Sequence, residues 1–527
     1  MTLSQSNPVR VGLVSLGCAK NLVDSEIMLG NLLEEGMEIT NDADTADVLI
    51  INTCSFVESA QQESVNAILE TAAAREQRTP GQGLVVAGCL PQRFRDELSG
   101  LIPEVDVFMG IDEVSRAAAV VRRALEHRAR RIGKAGAGSP ADAKRLTPSS
   151  RSAEPPGPQV EVRRQPDYIP DYATPRFRLT PRHFAYLKIA EGCNHPCSFC
   201  IIPRMRGPHR SRAQNDIVRE AESLIADGVR EINLISQDAT YYGLDLRPKA
   251  RRSIASPERF QAATANLPEG SATLVTLLRE LNDLPGDFWI RLLYTHPAHW
   301  TDELIATIAE CPKVARYVDM PLQHIHPDML ERMRRETSRE YIIELIQRLR
   351  DGIPGITLRT TFIVGFPGET EEAFEELLNF TRSTRFERMG VFAYSREDGT
   401  PSSKMERQVS EKLKEQRRHR AMAIQQGISR DLCAARMGST LVVLAENELD
   451  EEGAAEHDIH SWEHGWLRTE EGKTDRLEGP VTVARSEADA PDIDGRVYVR
   501  GRLTRGEFAR VKVIGHSDYD VIAEPVS

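Results

Sequence analysis

Residues 191–200 read E-G-C-N-H-P-C-S-F-C and set Cys193, Cys197 and Cys200 in a C-x3-C-x2-C triplet. Three thiolates this close can hold three irons of a cubane [4Fe-4S] cluster and leave the fourth iron open for chemistry. Structural zinc is the competing reading. Closed zinc sites want four ligands, usually as two paired knuckles, and this chain has no second knuckle, so His195 inside the loop would have to serve as the fourth.

Outward from the triplet, short β-branched runs at 185–190, 231–236, 289–294, 317–320, 357–364 and 389–394 alternate with helical patterns. Six such units predict a partial (β/α)6 barrel with its function at the strand C-termini, where the triplet follows the first strand. The stretch 246–271, with R-P-K-A-R-R-S, interrupts the second unit and reads as a surface insertion.

Upstream, apolar runs at 11–15, 48–52 and 84–87 are each followed by a helical pattern, as at 55–75, the rhythm of an open parallel α/β sheet. Each run leads into a loop with a cysteine: Cys18, Cys54 and Cys89. One isolated cysteine is ordinarily a small buried hydrophobe. Three at equivalent strand ends can converge on one edge of the sheet, where such folds bind ligands, and predict a second three-thiolate cluster.

The chain of 527 residues is long enough for several domains. No apolar run approaches a membrane span and residues 1–10 lack a secretory pattern, so a cytoplasmic location is expected. Eight cysteines are too few for a disulfide scaffold. Residues 127–182, rich in Gly, Ala, Ser, Pro and Arg, read as a mobile linker, with Arg128, Arg130, Arg131 and Lys134 as solvated charge. After a charged helix at 410–436, strands at 441–445, 481–484, 496–500, 509–514 and 519–523 predict a small antiparallel β-barrel. Of the net charge of −12, most lies at 437–527, with 20 acidic and 10 basic residues. Glu487, Asp489, Asp492 and Asp494 crowd one loop there, which favours a basic protein partner over a phosphate backbone.

Taken together, the two triplets and the terminal barrel resemble the methylthiotransferase family of radical S-adenosylmethionine (radical SAM) enzymes. The likeness rests on S-L-G-C-A-K-N-L-V-D-S-E (15–26), E-G-C-N-H-P-C-S-F-C-I-I-P (191–203), S-Q-D (236–238), D-M-P-L-Q-H (319–324), G-F-P-G-E-T (365–370) and R-S-E-A-D-A-P-D-I-D-G (485–495). These stretches are most similar to the branch acting on a ribosomal protein. The resemblance implies a methylthiotransferase domain over 9–126 with an auxiliary cluster, the linker 127–182, a radical SAM core over 183–418 and a TRAM domain over 434–525.

By the same resemblance, a methylthio group is placed on the β-carbon of an aspartate of small-subunit ribosomal protein twelve, free or in an assembling ribosome. The cofactors are two [4Fe-4S] clusters and S-adenosyl-L-methionine (SAM), one SAM giving the methyl group and one the radical. A low-potential donor such as flavodoxin or ferredoxin supplies electrons. No membrane is involved, and nucleic acid is met only through the ribosome. Cys193, Cys197 and Cys200 carry the radical cluster, and Cys18, Cys54 and Cys89 the auxiliary one. SAM contacts are expected from Phe199, Ser236, Gln237, Asp238, Arg291, Gly365, Gly368 and Glu369. Tyr294 and the arginines 204, 206, 210 and 212 are further candidates, whereas His324 and His326 read as hydrogen-bonding groups of the barrel mouth. Competing readings are a transfer-RNA adenosine methylthiotransferase of the same family, which would show a basic, aromatic terminal barrel, and a metal-bound scaffold without SAM, which would favour closed four-ligand sites.

Overall fold

The computed structural model describes residues 7–136, 157–247, 256–449 and 479–526. The Gly/Pro-rich stretch 137–156, the basic run 248–255 and the acidic stretch 450–478 lie outside the described residues. The chain forms two compact units, Met1–Leu179 with Ile201–Pro208, and Thr180–Cys200 with His209–Ser527.

In the first unit a parallel sheet is built from β1 (Arg10–Ser15), β2 (Glu38–Ile39), β3 (Val48–Thr53), β4 (Gly83–Gly88), β5 (Val107–Met109) and β6 (Gln159–Glu161). The order is β2-β1-β3-β4-β5-β6. Val48–Thr53 and Gly83–Gly88 are buried throughout, as a strand covered on both faces must be. Ile51, Leu84, Val86 and Phe108 pack with Ile68 and Ala72 of the helix Glu58–Arg78. Chain order reverses between β1 and β3, the switch point at which open α/β sheets leave a crevice beyond the strand ends.

Part of the expected linker is ordered structure. The helix Ala117–Gly136 runs through the region where mobility was expected, and β6 adds an edge strand, Val107 opposite Gln159. Ala and Arg are good helix formers, and this helix is tied down by its own cations. Arg128 is buried, with Nη2 2.6 Å from Glu76 and Nε 2.7 Å from the Pro80 carbonyl, and Arg131 donates to the Pro103 carbonyl. Arg128 and Arg131 are therefore not solvated linker charge. The insertion is also partly folded. The helix Pro257–Ala265, capped by Ser256, packs Phe260 against Tyr241 and Leu244.

The second unit opens with β7 (Phe184–Lys188), β8 (Ala190–Glu191) and β9 (Arg210–Ser211), and continues with β10 (Glu231–Ile235), β11 (Trp289–Leu292), β12 (Val314–Asp319), β13 (Thr357–Val364) and β14 (Arg388–Ala393). Six of these form one parallel sheet in the order β14-β13-β12-β11-β10-β7, the open arrangement of a partial barrel. Alternate residues, among them Leu187, Ile232, Leu234, Ile290, Leu292, Val318 and Leu358, enter the large apolar core with the helices. Their neighbours Lys188, Glu231, Arg291, Tyr317, Asp319 and Arg359 fall on the other face by the two-residue period of a strand. That face is buried and charged.

After the helix Glu411–Ala435 come β15 (Thr440–Leu449), β16 (Val481–Ser486), β17 (Val497–Arg500), β18 (Phe508–His516) and β19 (Val521–Pro525). They close into a five-stranded barrel, β15-β16-β17-β19-β18, around Val443, Val497, Val499, Val511, Val513 and Val521. All pairs are antiparallel except β17 with β19, which is parallel.

The loop 485–495 of this barrel meets the charged face of the larger sheet. Arg485 donates to Glu231 (2.6 Å) and to Glu446 (2.7 Å), and Arg291 donates to Glu231 (2.6 Å) and to the Glu487 carbonyl (2.7 Å). Asp494 accepts from Tyr317 at 2.6 Å, and Asp489 pairs with Arg388. Burial alone would raise the Glu231 carboxyl, but Arg485 and Arg291 hold it below its usual value. Burial is likewise outweighed at Asp489 by Arg388. The acidic loop is thus not an open surface awaiting a basic partner. Asp489 and Asp494 are buried and neutralised by the protein's own arginines, Glu487 is half-buried, and Asp492, though more open, has its carboxyl raised by burial and is bonded to Tyr186.

Candidate functional site

The first unit gathers Cys18, Cys54 and Cys89 at the C-terminal ends of the neighbouring strands β1, β3 and β4. Two left-handed glycines permit this. Gly17 has φ +92°, and a Cβ there would stand 2.8 Å from the Cys54 Cβ and 3.2 Å from its sulfur. At Gly88, φ +93°, a Cβ would lie 2.3 Å from Asn52 Oδ1 and 2.7 Å from the Thr53 carbonyl. Neither clearance admits a side chain, and the backbone conformation itself favours glycine. Cys18 is the N-cap of the helix Ala19–Glu34, Cys89 opens the helix Cys89–Phe94, and the Cys54 amide bonds Ser64 Oγ at 3.1 Å.

Asn21 ties the three loops together. Its Nδ2 donates to the Leu16 carbonyl (3.1 Å) and the Thr53 carbonyl (2.8 Å), and its Oδ1 accepts from Cys89 Sγ (3.5 Å) and Arg206 (2.6 Å). Arg206 also pairs with Asp24 and donates to Cys89 Sγ at 3.3 Å. Burial pushes the Cys89 thiol up to about 12, with Arg206 opposing and Cys54 and Cys18 adding to the rise. Burial raises Cys54 too, again with Cys18 contributing. That mutual influence is what three sulfurs around one site produce, and metal binding would be coupled to release of their protons.

In the second unit the loop Cys193–Cys200 follows β7 and β8 after Gly192, φ +83°. Ser198 anchors it: its amide donates to the Met333 carbonyl (3.0 Å), its hydroxyl to the Arg332 carbonyl (2.7 Å), and its carbonyl accepts from Ser402 (2.9 Å). Arg335 donates to Cys197 Sγ at 3.5 Å and to the Pro321 carbonyl at 2.7 Å. Burial, then Asp238 and Cys200, push the Cys193 thiol well above its ordinary value. Phe199 packs against the cluster of Met329, Met333, Phe366 and Tyr394.

The expected SAM contacts divide. Ser236 Oγ and Gln237 Oε1, just past the end of β10, are buried without a hydrogen-bond partner, as atoms awaiting a polar ligand would be. The other end of Gln237 donates to Glu191. Gly365 (φ +72°) and Gly368 (φ +87°) lie under Lys414 and Arg332, whose side chains leave no room for a Cβ at Gly365 and little at Gly368.

Three expectations change. Asp238 is already saturated, accepting from His195 Nε2 and His299 Nδ1 at 2.8 Å each and from the Thr240 amide and hydroxyl. Glu369 accepts from His324 Nε2, the Gly365 amide and Arg417, so it shapes its own turn. Arg291 is engaged with Glu231, the first residue of β10, and with the terminal barrel, at the end of the strands away from the triplet. These three residues are spoken for before any ligand arrives. Arg206 and Arg212 are likewise committed, the latter to the Lys188 carbonyl and Glu220. His324 and His326 are hydrogen-bonding groups as expected, His326 capping the helix Pro327–Met333.

His195, His296 and His299 bring ring nitrogens within 4.8 Å of one another, a grouping that resembles a metal site. The hydrogen bonds argue otherwise. His195 and His299 both point a nitrogen at Asp238, His296 Nδ1 accepts the Ala298 amide, and His195 stacks on His296 at 3.6 Å and 15°. Stacked parallel rings cannot direct their in-plane lone pairs at one ion. Burial lowers His195 to about 4, which leaves it neutral at pH 7. It braces the cysteine loop by tying it to Asp238, which holds His195 and His299 on one carboxylate oxygen.

Asn21, Arg335 and Gln323 escaped the sequence reading. Gln323, φ +73°, leaves Oε1 buried without a partner. Asn21 and Gln323 sit inside the motif stretches already quoted, so position within a motif was the available signal; nothing local marks Arg335.

Residues 10–110 match the family described as "Uncharacterized protein family UPF0004", 187–381 the "Radical SAM superfamily" and 471–526 the "TRAM domain". The architecture and the triplet loop therefore define a radical SAM enzyme, with an iron–sulfur cluster and SAM as its cofactors. Over 523 residues, covering 98% of this chain and 97% of the relative, it is 51% identical to "Ribosomal protein uS12 methylthiotransferase RimO" of Opitutus terrae. The protein of the same name from Akkermansia muciniphila is 45% identical over 98% of this chain and 100% of its own. A solved radical SAM methyltransferase, TsrM from Kitasatospora setae, aligns with TM-score 0.49 and 14% identity over 80% of this chain and 89% of that one. The chain belongs to the RimO family of radical SAM methylthiotransferases.

Proposed function

We propose that this protein places a methylthio group on the β-carbon of an aspartate of small-subunit ribosomal protein uS12, with one SAM as methyl donor and a second as radical source. The observation that carries this reading is the second cysteine set. A radical enzyme needs only Cys193, Cys197 and Cys200, whereas sulfur transfer calls for a further place to hold sulfur. Cys18, Cys54 and Cys89, gathered by Gly17, Gly88 and Asn21, have the donor chemistry for a second [4Fe-4S] cluster. When bound, the two clusters and SAM supply one-electron chemistry and sulfur, which no side chain of the protein can.

The protein's own part is positioning. Ser236 Oγ and Gln237 Oε1 offer polar partners to SAM and Phe199 an apolar face. Arg335 orients Cys197, and the lattice of Glu231, Arg291 and Arg485 closes the far end of the strands with paired charge. Electrons come from a small low-potential carrier of the flavodoxin or ferredoxin kind. The relatives support uS12 as substrate by name and by full-length identity; the acidic loop no longer does.

Mass spectrometry of ribosomal proteins from strains with and without this gene tests the reading. Loss of a methylthio mass from one uS12 aspartate is expected. Unchanged uS12 together with a missing methylthio group on transfer RNA would overturn it.

A further inference from the structure

We propose that Arg206 is a positioning residue for the auxiliary cysteine site, contributed by the segment that follows the radical triplet in sequence. The inference deepens the two-cluster reading and rests on it. Ile201–Pro208 groups with the first unit although the residues on either side belong to the second. Ile201, Ile202 and Met205 of this segment pack on Cys89. Arg206 is buried, and a single guanidinium nitrogen, Nη2, makes three contacts: 2.6 Å to Asn21 Oδ1, 3.1 Å to Asp24 Oδ2 and 3.3 Å to Cys89 Sγ.

The arrangement has a direction. Asp24 and Asn21 fix the guanidinium, and Asn21 is the residue that joins the loops of the three cysteines. A planar guanidinium held in this way brings its Nη2 to one sulfur, which a flexible ammonium does less well. Groups just beyond the ligands orient them and tune the bound metal, and hydrogen bonds to sulfur and nearby charge set the potential of an iron–sulfur cluster. Arg206, a cation 3.3 Å from Cys89 Sγ, therefore favours the more negative, reduced state of a cluster it helps to hold. Cys89 also gains an apolar cover from Ile201, Ile202 and Met205 of this segment.

The test uses full-length protein with Cys193→Ala, Cys197→Ala and Cys200→Ala, so that only the auxiliary site can hold iron. Iron content and an EPR-monitored potentiometric titration of the reconstituted one-electron couple are measured for this parent and for Arg206→Gln, Arg206→Lys and Asp24→Asn added to it. Arg206→Gln should shift the midpoint to more negative potential and change the EPR spectrum, and Arg206→Lys should recover part of the shift. Asp24→Asn, which leaves the guanidinium without its counter-charge, should shift it the opposite way. Opposite shifts are not expected from mere damage to the fold, and Asp24→Asn keeps the proposal testable if Arg206→Gln does not fold. Identical potentials and spectra in all four proteins, or equal shifts in Arg206→Gln and Arg206→Lys, would overturn the role of Arg206 alone. A parent that binds no iron would overturn the two-cluster reading beneath it.

Discussion

The two cysteine triplets solve one problem by opposite routes. Cys193, Cys197 and Cys200 come from a single loop whose spacing already brings them together, and the fold only pins that loop through Ser198 and Arg335. Cys18, Cys54 and Cys89 are far apart in sequence and meet because β1, β3 and β4 are neighbours in one parallel sheet. Each set has one guanidinium on one sulfur, Arg335 on Cys197 and Arg206 on Cys89. Their counter-charges differ. Arg206 carries Asp24 directly, whereas the radical loop has the buried Asp238 beside Cys193, bonded by two histidines and Thr240. A buried anion beside a cluster disfavours an added electron; at the radical loop Asp238 adds to the rise of the Cys193 thiol, whereas at Cys89 the nearby Arg206 opposes it. Similar ligands in different fields are how one chain can hold two sites with different tasks.

The comparison breaks most sharply if the sets are exchangeable. Replacing Cys193, Cys197 and Cys200 by Ala should abolish 5′-deoxyadenosine formation and methylthiolation together. Replacing Cys18, Cys54 and Cys89 should abolish methylthiolation yet leave reductive SAM cleavage, read by chromatography of the products. Equal loss of both reactions in both variants would deny the separate tasks.

Next in size is the charge lattice of the second unit. Glu231→Gln strands Arg291 and Arg485 in a buried setting, and breaking one partner of such a cluster costs ~3–5 kcal/mol. The denaturation midpoint should fall accordingly, while iron at Cys18, Cys54 and Cys89 is retained.

A smaller effect follows from Glu446. Burial would raise this carboxyl, but Arg485 and His183 bring it down to about 2, from an ordinary 4.5. The stabilisation is complete above pH 4.5 and is lost as the pH falls towards 2, roughly 3 kcal/mol across that window. Thermal melting against pH should show this acid limb, and Glu446→Gln should flatten it.

The smallest expected change is Ser236→Ala. If its unpartnered hydroxyl meets SAM, one hydrogen bond is lost, worth ~0.5–1.5 kcal/mol, and the KM for SAM should rise about 2- to 12-fold with the fold intact. An unchanged KM would move the polar end of SAM elsewhere.

Much of this organisation was legible in the residues. The period of the apolar runs marked the central strands of both sheets and those of the terminal barrel, because buried parallel strands and alternating ones write their environment into the sequence. Short strands far from the sheet's centre did not announce themselves: β5 and the edge strand β6 have three residues each and are defined by their neighbours. The part of the helix Ala117–Gly136 from residue 127 on was read as linker because Arg and Ala carry no apolar signal of their own, while Arg128 finds Glu76 only in three dimensions. Asp238, Glu369 and Arg291 were expected at SAM by family resemblance. Their partners come from other strands and helices, and no spacing rule reveals whether a polar residue is already satisfied.

By itself the sequence determined the fold class, the six cysteines and the chemistry they allow, since thiolate spacing and strand periodicity are local properties. The tertiary structure alone decided that the acidic loop 485–495 is an internal partner of barrel arginines, that His195 is tied to Asp238, and that Arg206 serves the first cysteine set. Charge counts carry no sign of burial, and the direction of a hydrogen bond depends on chain segments brought together only by folding.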